Sequence, residues 1–239
     1  MSAIHTSPLH YTAGEAVFEG TLVYPSDTVH ALPGVLIAPN WMGATAAAAE
    51  QAKAIAAQGY VVLVADLYGQ GQRPASAEEA GAMMMAVKDT PEEVAHMQAA
   101  LAALRTQTNA AVTKERVAAV GFCFGGHCAL ELARAGADIK AAVSFHGTLD
   151  SKGQYAGNTI YASLLVLDGA DDPLVPREQL AAFASEMNGK GVDWQLVSFA
   201  GAVHSFTDPH ASAAGVAQYH PEVSQRAFRR MFQLFDEVL

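Results

Sequence analysis

Apolar runs with the length of β-strands alternate along the chain with segments of helical periodicity. The strand-like runs are Phe18–Tyr24, Gly34–Ala38, Tyr60–Ala65, Val117–Val120, Ala141–Phe145, Leu164–Leu167 and Trp194–Phe199. The first run is expected to form an N-terminal hairpin with residues near Tyr11. Helical patterns cover Ala44–Gln58, Ser76–Val87, Pro91–Thr106, Arg177–Asn188 and Glu222–Leu239. This alternation predicts an α/β fold, with a mostly parallel central sheet and helices on both faces.

Composition and net charge indicate the number of domains and the kinds of partner that the protein can bind. No repeat or linker interrupts the pattern, so residues 1–239 are interpreted as one domain, and 51% hydrophobic residues can fill a large core. The formal net charge of −10 argues against a nucleic-acid or anionic-membrane surface. Neither a secretory leader nor an apolar stretch of membrane-spanning length is recognised. With only two cysteines, Cys123 and Cys128, poorly spaced for a disulfide, we expect a reducing cytoplasm.

The segment Val117 to Ala135 has the most specific pattern in the chain. A short apolar run enters the turn Gly121-Phe122-Cys123-Phe124-Gly125-Gly126, and a helical pattern follows. This is typical of the strand–turn–helix nucleophile elbow, with cysteine where serine usually stands. The glycines two positions before and after Cys123 would let strand and helix pack closely, and a helix N-terminus favours a thiolate. A plain tight turn is the alternative, since neither glycine-rich nucleotide motif fits.

An acid and a histidine follow the elbow in the chain order that such hydrolases use. The run Leu164–Leu167 leads into an acidic turn that contains Asp171 and Asp172, and Trp194–Phe199 leads into a loop with His204. Parallel sheets gather their chemistry at these strand ends. His204 would move the proton of the nucleophile, and the aspartate would orient its imidazole. Simple turn chemistry at the aspartates and a solvated loop histidine are the alternatives.

Two other histidines have weaker cases. His146 also ends a strand, but it precedes the acid and so breaks the expected order. His127 lies near Cys123 and Cys128, which raises the question of a metal. Because a zinc site needs three or four ligands at workable spacing, and this group has no obvious fourth, we expect no metal.

Taken together, these motifs closely resemble the dienelactone hydrolase family over nearly the whole length. The matching segments are Gly121 to Gly126, Gly169 to Pro176, His204 to Phe206, Ala65 to Gly69, Ser144 to Gly147 and Phe206 to Pro209. The family motif places the acid four residues before the proline, which selects Asp172. The resemblance implies an α/β-hydrolase fold and hydrolysis of a carboxylic ester or lactone through an acyl-cysteine, without a cofactor or metal. It also implies an oxyanion hole formed by the backbone N–H groups of Phe124 and Trp41.

The chain departs from the family pattern at two places. Asn40 stands where the family commonly has a glutamate that helps to deprotonate the thiol. Asp208 stands where an arginine would hold a substrate carboxylate, and Arg73 in the glycine-rich loop 66–74 is the only other candidate for that role. The dienelactone itself is therefore not expected to be the substrate.

A partly aromatic pocket for a small cyclic or aryl ester is our expectation. The residues expected to contact such a substrate are Asn40, Tyr68, Arg73, His146 and Phe206. Two readings other than a hydrolase stay open at this point. Asn40 motivates a non-catalytic ligand-binding protein, and a reactive Cys123 alone would suit a thiol-redox role, which Cys128 does not support because the two form no CxxC.

Overall fold

An eight-stranded sheet forms the centre of the structure, a computed structural model that describes residues 3–239. Its strands are β1 (Ile4–Ala13), β2 (Ala16–Pro25), β3 (Leu32–Ala38), β4 (Val61–Val64), β5 (Val112–Phe122), β6 (Ala141–Phe145), β7 (Ser163–Gly169) and β8 (Trp194–Phe199). Their order across the sheet is β1-β2-β4-β3-β5-β6-β7-β8. The β1–β2 hairpin is antiparallel and β2 pairs antiparallel with β4, while the other pairs are parallel. The predicted fold class is confirmed.

Six helices cover the two faces of the sheet within residues 3–239. They are α1 (Ala46–Ala56), α2 (Ala77–Val87), α3 (Pro91–Thr106), α4 (Phe124–Arg134), α5 (Arg177–Lys190) and α6 (Pro221–Val238). The core has two layers because successive strand residues point to opposite faces. On β3, Leu36 packs in the layer under α3, α4 and α5, whereas Val35 and Ile37 pack in the layer under α1 and α6.

Most predicted elements are present, and the differences have local causes. α3, β6 and β8 have the predicted bounds, whereas β5 begins at Val112 instead of Val117. The early part of β5 is polar and exposed, so it has no apolar run to reveal it. α1 begins later than expected because the Thr45 side chain accepts a hydrogen bond from the Ala48 N–H and caps the helix.

A small two-stranded sheet was not predicted. Its strands β9 (Ser212–Ala213) and β10 (Ala217–Gln218) are too short to show a periodic pattern. Within the described residues, no helix is both long and apolar enough to cross a membrane.

Candidate active site

Cys123 lies on a sharp turn between β5 and α4. Its backbone has φ 57° and ψ −120°, a combination that costs a non-glycine residue about 1–3 kcal/mol. The two flanking glycines explain how the turn is accommodated. A Cβ added at Gly121 would lie 1.8 Å from the carbonyl oxygen of Gly125, and one added at Gly125 would lie 2.0 Å from that of Ala38. The turn therefore requires glycine on both sides of the cysteine.

His146 supports this turn from behind. The backbone N–H of Cys123 faces both the Phe145 carbonyl oxygen at 3.0 Å and the His146 Nδ1 at 3.2 Å. Because Nδ1 accepts, Nε2 bears the hydrogen and donates to the hydroxyl of Thr207 at 2.8 Å. Burial and the neighbouring His204 hold the pKa of His146 well below its usual value. A neutral imidazole thus fixes the backbone of the cysteine.

His204 and Asp172 form a buried pair. The Nδ1 of His204 lies 2.8 Å from Asp172 Oδ2, and the other carboxylate oxygen accepts from the N–H of Leu174 at 2.8 Å. Burial acts to lower the pKa of His204, but the hydrogen bond that its Nδ1–H donates to Asp172 and the adjacent Cys123 sulfur outweigh burial and raise that pKa to about 10. The Nε2 of His204 has no hydrogen-bond partner among residues 3–239.

Asp171 is placed differently from its neighbour. One of its carboxylate oxygens accepts from the N–H of Gly201 at 3.0 Å, so this side chain closes a surface turn. Asp172 alone of the two reaches His204, so it is the aspartate placed to orient this imidazole.

Cys123 and His204 open onto the same cavity, which has a volume of about 500 Å³. The walls are mostly apolar and come from loops around the carboxyl ends of the strands and from α2. The lining residues are Asn40, Trp41, Met42, Met84, Lys88, Cys123, Phe124, Thr148, Leu174, His204, Ser205, Asp208, Val216 and Ala217. The cavity therefore combines one nucleophile with a largely uncharged wall.

A tight turn after β3 contains Trp41, whose backbone N–H is one of the two donors expected in an oxyanion hole. The N–H of Gly43 donates to the Asn40 carbonyl at 2.9 Å, and the N–H of Met42 donates to the Asn40 side-chain oxygen at 3.0 Å. The N–H of Trp41 in the same turn donates to no acceptor within the described part of the chain, and neither does the N–H of Phe124 at the start of α4. Both residues line the cavity, as an oxyanion hole requires.

Four residues expected to contact substrate do not line the cavity. Tyr68 directs its hydroxyl to the Trp41 carbonyl at 2.7 Å, and Arg73 contacts Asp66 at 3.3 Å. His146 lies beneath the elbow, and Phe206 is fully buried and packs against its ring. These expectations are corrected: the four side chains support loops, and only Asn40 of the expected contacts lies on the wall.

The sequence interpretation missed the apolar wall. Its apolar side chains come from four separate segments. They are Met42 in the loop after β3, Met84 on α2, Leu174 in the turn after β7 and Val216 in the β9–β10 hairpin. Nothing in their local patterns marks them, because long-range folding brings them together. Lys88 was also missed, although a lysine directly after a helical pattern is a weak signal.

Comparison with known proteins places this geometry in a family. Residues 18–239 match the model of the dienelactone hydrolase family. The solved structure of m3DLH is 39% identical over the whole of both chains, with a TM-score of 0.93. A dienelactone hydrolase-like promiscuous phosphotriesterase, P91, from metagenomic libraries is 36% identical over 99% of each chain, with a TM-score of 0.91.

A curated relative shows a similar match. The probable 2-oxo-3-(5-oxofuran-2-ylidene)propanoate lactonase of Bradyrhizobium sp is 27% identical, over 82% of this chain and 80% of its own length. The chain has the α/β-hydrolase fold and belongs to the dienelactone hydrolase family of ester- and lactone-cleaving hydrolases.

Proposed function

We propose that the protein hydrolyses a neutral carboxylic ester or lactone through an acyl-cysteine intermediate, with Cys123, His204 and Asp172 as its triad. The observation that supports this best is the position of Cys123. It stands on a strained turn at a helix N-terminus and shares a cavity with a histidine whose second nitrogen is bound by a buried carboxylate. Family membership favours a hydrolase over a ligand-binding or thiol-redox protein.

Acylation begins with attack of the Cys123 thiolate on the substrate carbonyl carbon. The carbonyl oxygen becomes an oxyanion, which the N–H groups of Trp41 and Phe124 stabilise. The tetrahedral intermediate collapses as the C–O bond to the alcohol breaks. The alkoxide takes the proton of the His204 imidazolium, which leaves a thioester at Cys123 and a neutral imidazole.

Deacylation uses the same groups in reverse. Neutral His204 removes a proton from water, whose oxygen attacks the thioester carbonyl carbon. The C–S bond then breaks and releases the acid, and the proton on His204 restores the imidazolium beside the thiolate. With a lactone, acid and alcohol remain joined, so the product is one hydroxy acid.

The cavity favours a substrate without a carboxylate. No arginine lines its wall within residues 3–239, and Arg73 is held away by Asp66. The ammonium group of Lys88 lies within 3.0 Å of carboxylates of Asp89 and Asp150, so its charge is already compensated. Asp208 adds a negative charge to the wall. A neutral, partly apolar ester or lactone fits these surroundings, and the similarity to P91 adds neutral aryl phosphotriesters to the compounds worth testing.

The test is a set of initial rates on p-nitrophenyl acetate, small neutral lactones, a lactone with a free carboxylate and a neutral aryl phosphotriester. Cys123→Ala is expected to lose at least about 10³-fold in kcat because no nucleophile remains. Cys128→Ala is the matched control and is expected to keep activity. Retention of most activity in Cys123→Ala would contradict the acyl-cysteine route, and tight binding without turnover in wild type would favour the ligand-binding alternative.

A further inference from the structure

A second group of polar side chains lies beneath the cavity and has no part in the proposed reaction. It consists of Asp89 in the α2–α3 loop, Glu93 in the first turn of α3, and His127 in the first turns of α4. Glu93 and His127 have no exposed surface, and Asp89 is 19% exposed. One ligand atom from each of the three lies within 4.8 Å of the other two.

The atoms that face one another in this group have no hydrogen-bond partner among the described residues. They are Asp89 Oδ1, Glu93 Oε1 and His127 Nε2. Such atoms are costly to bury unless something satisfies them. His127 Nε2 lies 3.5 Å from Asp89 Oδ1 and 3.4 Å from Glu93 Oε1. Around a tetrahedral ion with bonds of about 2.0–2.2 Å, neighbouring ligand atoms are roughly 3.4 Å apart.

Other contacts hold each carboxylate in this orientation. The second oxygen of Asp89 is bound by the ammonium group of Lys88 at 3.0 Å, and the second oxygen of Glu93 accepts from the Asp89 N–H at 2.7 Å. On the far side of the imidazole, His127 Nδ1 lies 3.5 Å from the Thr148 hydroxyl oxygen and 3.7 Å from the Asp150 carboxylate. Oxygen partners behind a ligating histidine orient its ring.

The charge of the group points the same way. The Lys88 ammonium pairs with the carboxylates of Asp89 and Asp150, while the buried Glu93 carboxylate faces only His127 among the described charged groups in contact with it, so three carboxylates meet one ammonium and one imidazole. A divalent cation would neutralise the excess negative charge. One imidazole with two carboxylates suits Zn²⁺, Co²⁺ or Mn²⁺ better than Mg²⁺ or Ca²⁺, which prefer oxygen ligands alone.

We propose that Asp89, Glu93 and His127 bind one divalent transition-metal ion, which joins the α2–α3 loop to α4 below the active-site cavity. The ion would have a structural role, since Lys88 and Thr148 lie between this group and the substrate. The sequence interpretation considered His127 with Cys123 and Cys128 and found no further ligand. The spacing of Asp89 and Glu93, four residues apart at the start of α3, was the signal that it did not use.

The experiment uses the Cys123→Ala protein, so that a metal ion cannot bind to the nucleophile and the outcome does not depend on the proposed function. After treatment with a chelator, we expect it to bind about one equivalent of Zn²⁺ by calorimetry, with a melting temperature that rises with free Zn²⁺. Co²⁺ in its place is expected to give the visible absorption of a low-coordinate site containing nitrogen.

Matched variants in the same background identify the ligands. Asp89→Asn, Glu93→Gln and His127→Gln are each expected to weaken Zn²⁺ binding at least tenfold, whereas His30→Gln, at an exposed histidine, is expected to change nothing. Because Asp89 is partly exposed, Asp89→Asn tests the site even if one of the variants at the buried Glu93 or His127 fails to fold. The proposal is overturned if no Zn²⁺ binds, which would leave an imidazolium paired with the carboxylates, or if binding is equal in Asp89→Asn and His30→Gln.

Discussion

At the scale of single residues, the side chain of Asn40 has a structural role in the turn after β3. Its side-chain oxygen accepts from the N–H of Met42, two residues along the chain, and so stabilises the turn that presents the Trp41 N–H. Glutamate is longer and charged, and would suit the deprotonation of a thiol, which the Asn40 amide cannot perform. The departure of Asn40 from the family pattern is a prediction from the sequence, and the geometry of the turn adds that its side chain shapes the loop.

Asp172 provides a prediction about pH at the same scale. In the proposed acylation step the His204 imidazolium protonates the leaving alkoxide, so kcat/KM is expected to fall as pH rises through the pKa of His204. The Asp172 hydrogen bond opposes burial and raises that pKa. Asp172→Asn is therefore expected to lower the pKa, move the alkaline limb of the pH–rate profile to lower pH, and reduce kcat/KM at pH 7 by about 10²–10⁴-fold.

The neighbouring aspartate is the control for this change. Asp171→Asn removes a carboxylate that contacts the Gly201 N–H and does not reach His204. Its rate constants and pH profile are expected to stay within about twofold of wild type. An alkaline limb that does not move in Asp172→Asn would mean that this carboxylate does not set the proton affinity of His204.

At the scale of secondary-structure elements, local patterns predicted most of the sheet but not the parts that complete the site. β6 and β8 were recognisable because each is a short, mostly apolar run, interrupted by one polar residue in β6 and by two in β8. The β9–β10 hairpin was not, yet the Val216 carbonyl accepts from the His204 N–H at 3.1 Å, and the His204 carbonyl accepts from the Gln218 N–H at 2.9 Å. The loop that positions His204 thus depends on backbone hydrogen bonds to a hairpin whose strands are too short to be recognised in the sequence.

The close approach of α4 to the sheet gives a prediction for stability. A Cβ at Gly125 would lie 2.0 Å from the Ala38 carbonyl oxygen, which is backbone and cannot rotate away. Gly125→Ala is therefore expected to lower the free energy of unfolding by at least about 3 kcal/mol, measured by urea denaturation, or to prevent folding.

A second glycine in a helix provides the comparison. At Gly189, in the last turn of α5, no described atom lies within 4 Å of an added Cβ. Gly189→Ala is expected to raise the free energy of unfolding by up to about 1 kcal/mol, because alanine is the better helix former. Equal stability of the two variants would show that the elbow tolerates a side chain at Gly125.

At the scale of the whole molecule, a path of hydrogen bonds joins the edge of the sheet to the active site. The Tyr11 hydroxyl on β1 accepts from the Asp66 N–H at 2.8 Å, and the Asp66 carboxylate accepts from the Tyr68 N–H at 3.1 Å. Tyr68 then donates its hydroxyl to the Trp41 carbonyl at 2.7 Å. The sequence analysis expected Tyr68 to contact the substrate, whereas its hydroxyl contacts the Trp41 carbonyl behind the loop that is proposed to form the oxyanion hole.

This path predicts separate effects for its two tyrosines. Tyr68→Phe frees the Trp41 peptide, so kcat is expected to fall about tenfold with little change in KM, since the oxyanion contact strengthens in the transition state. Tyr11→Phe leaves a buried backbone N–H without its partner and is expected to cost about 1–3 kcal/mol in unfolding free energy while kcat is kept. Tyr161→Phe, at an exposed tyrosine, is expected to change neither quantity. If kcat is unchanged in Tyr68→Phe, the Trp41 N–H is held by its own turn and the Tyr68 hydroxyl has no part in catalysis.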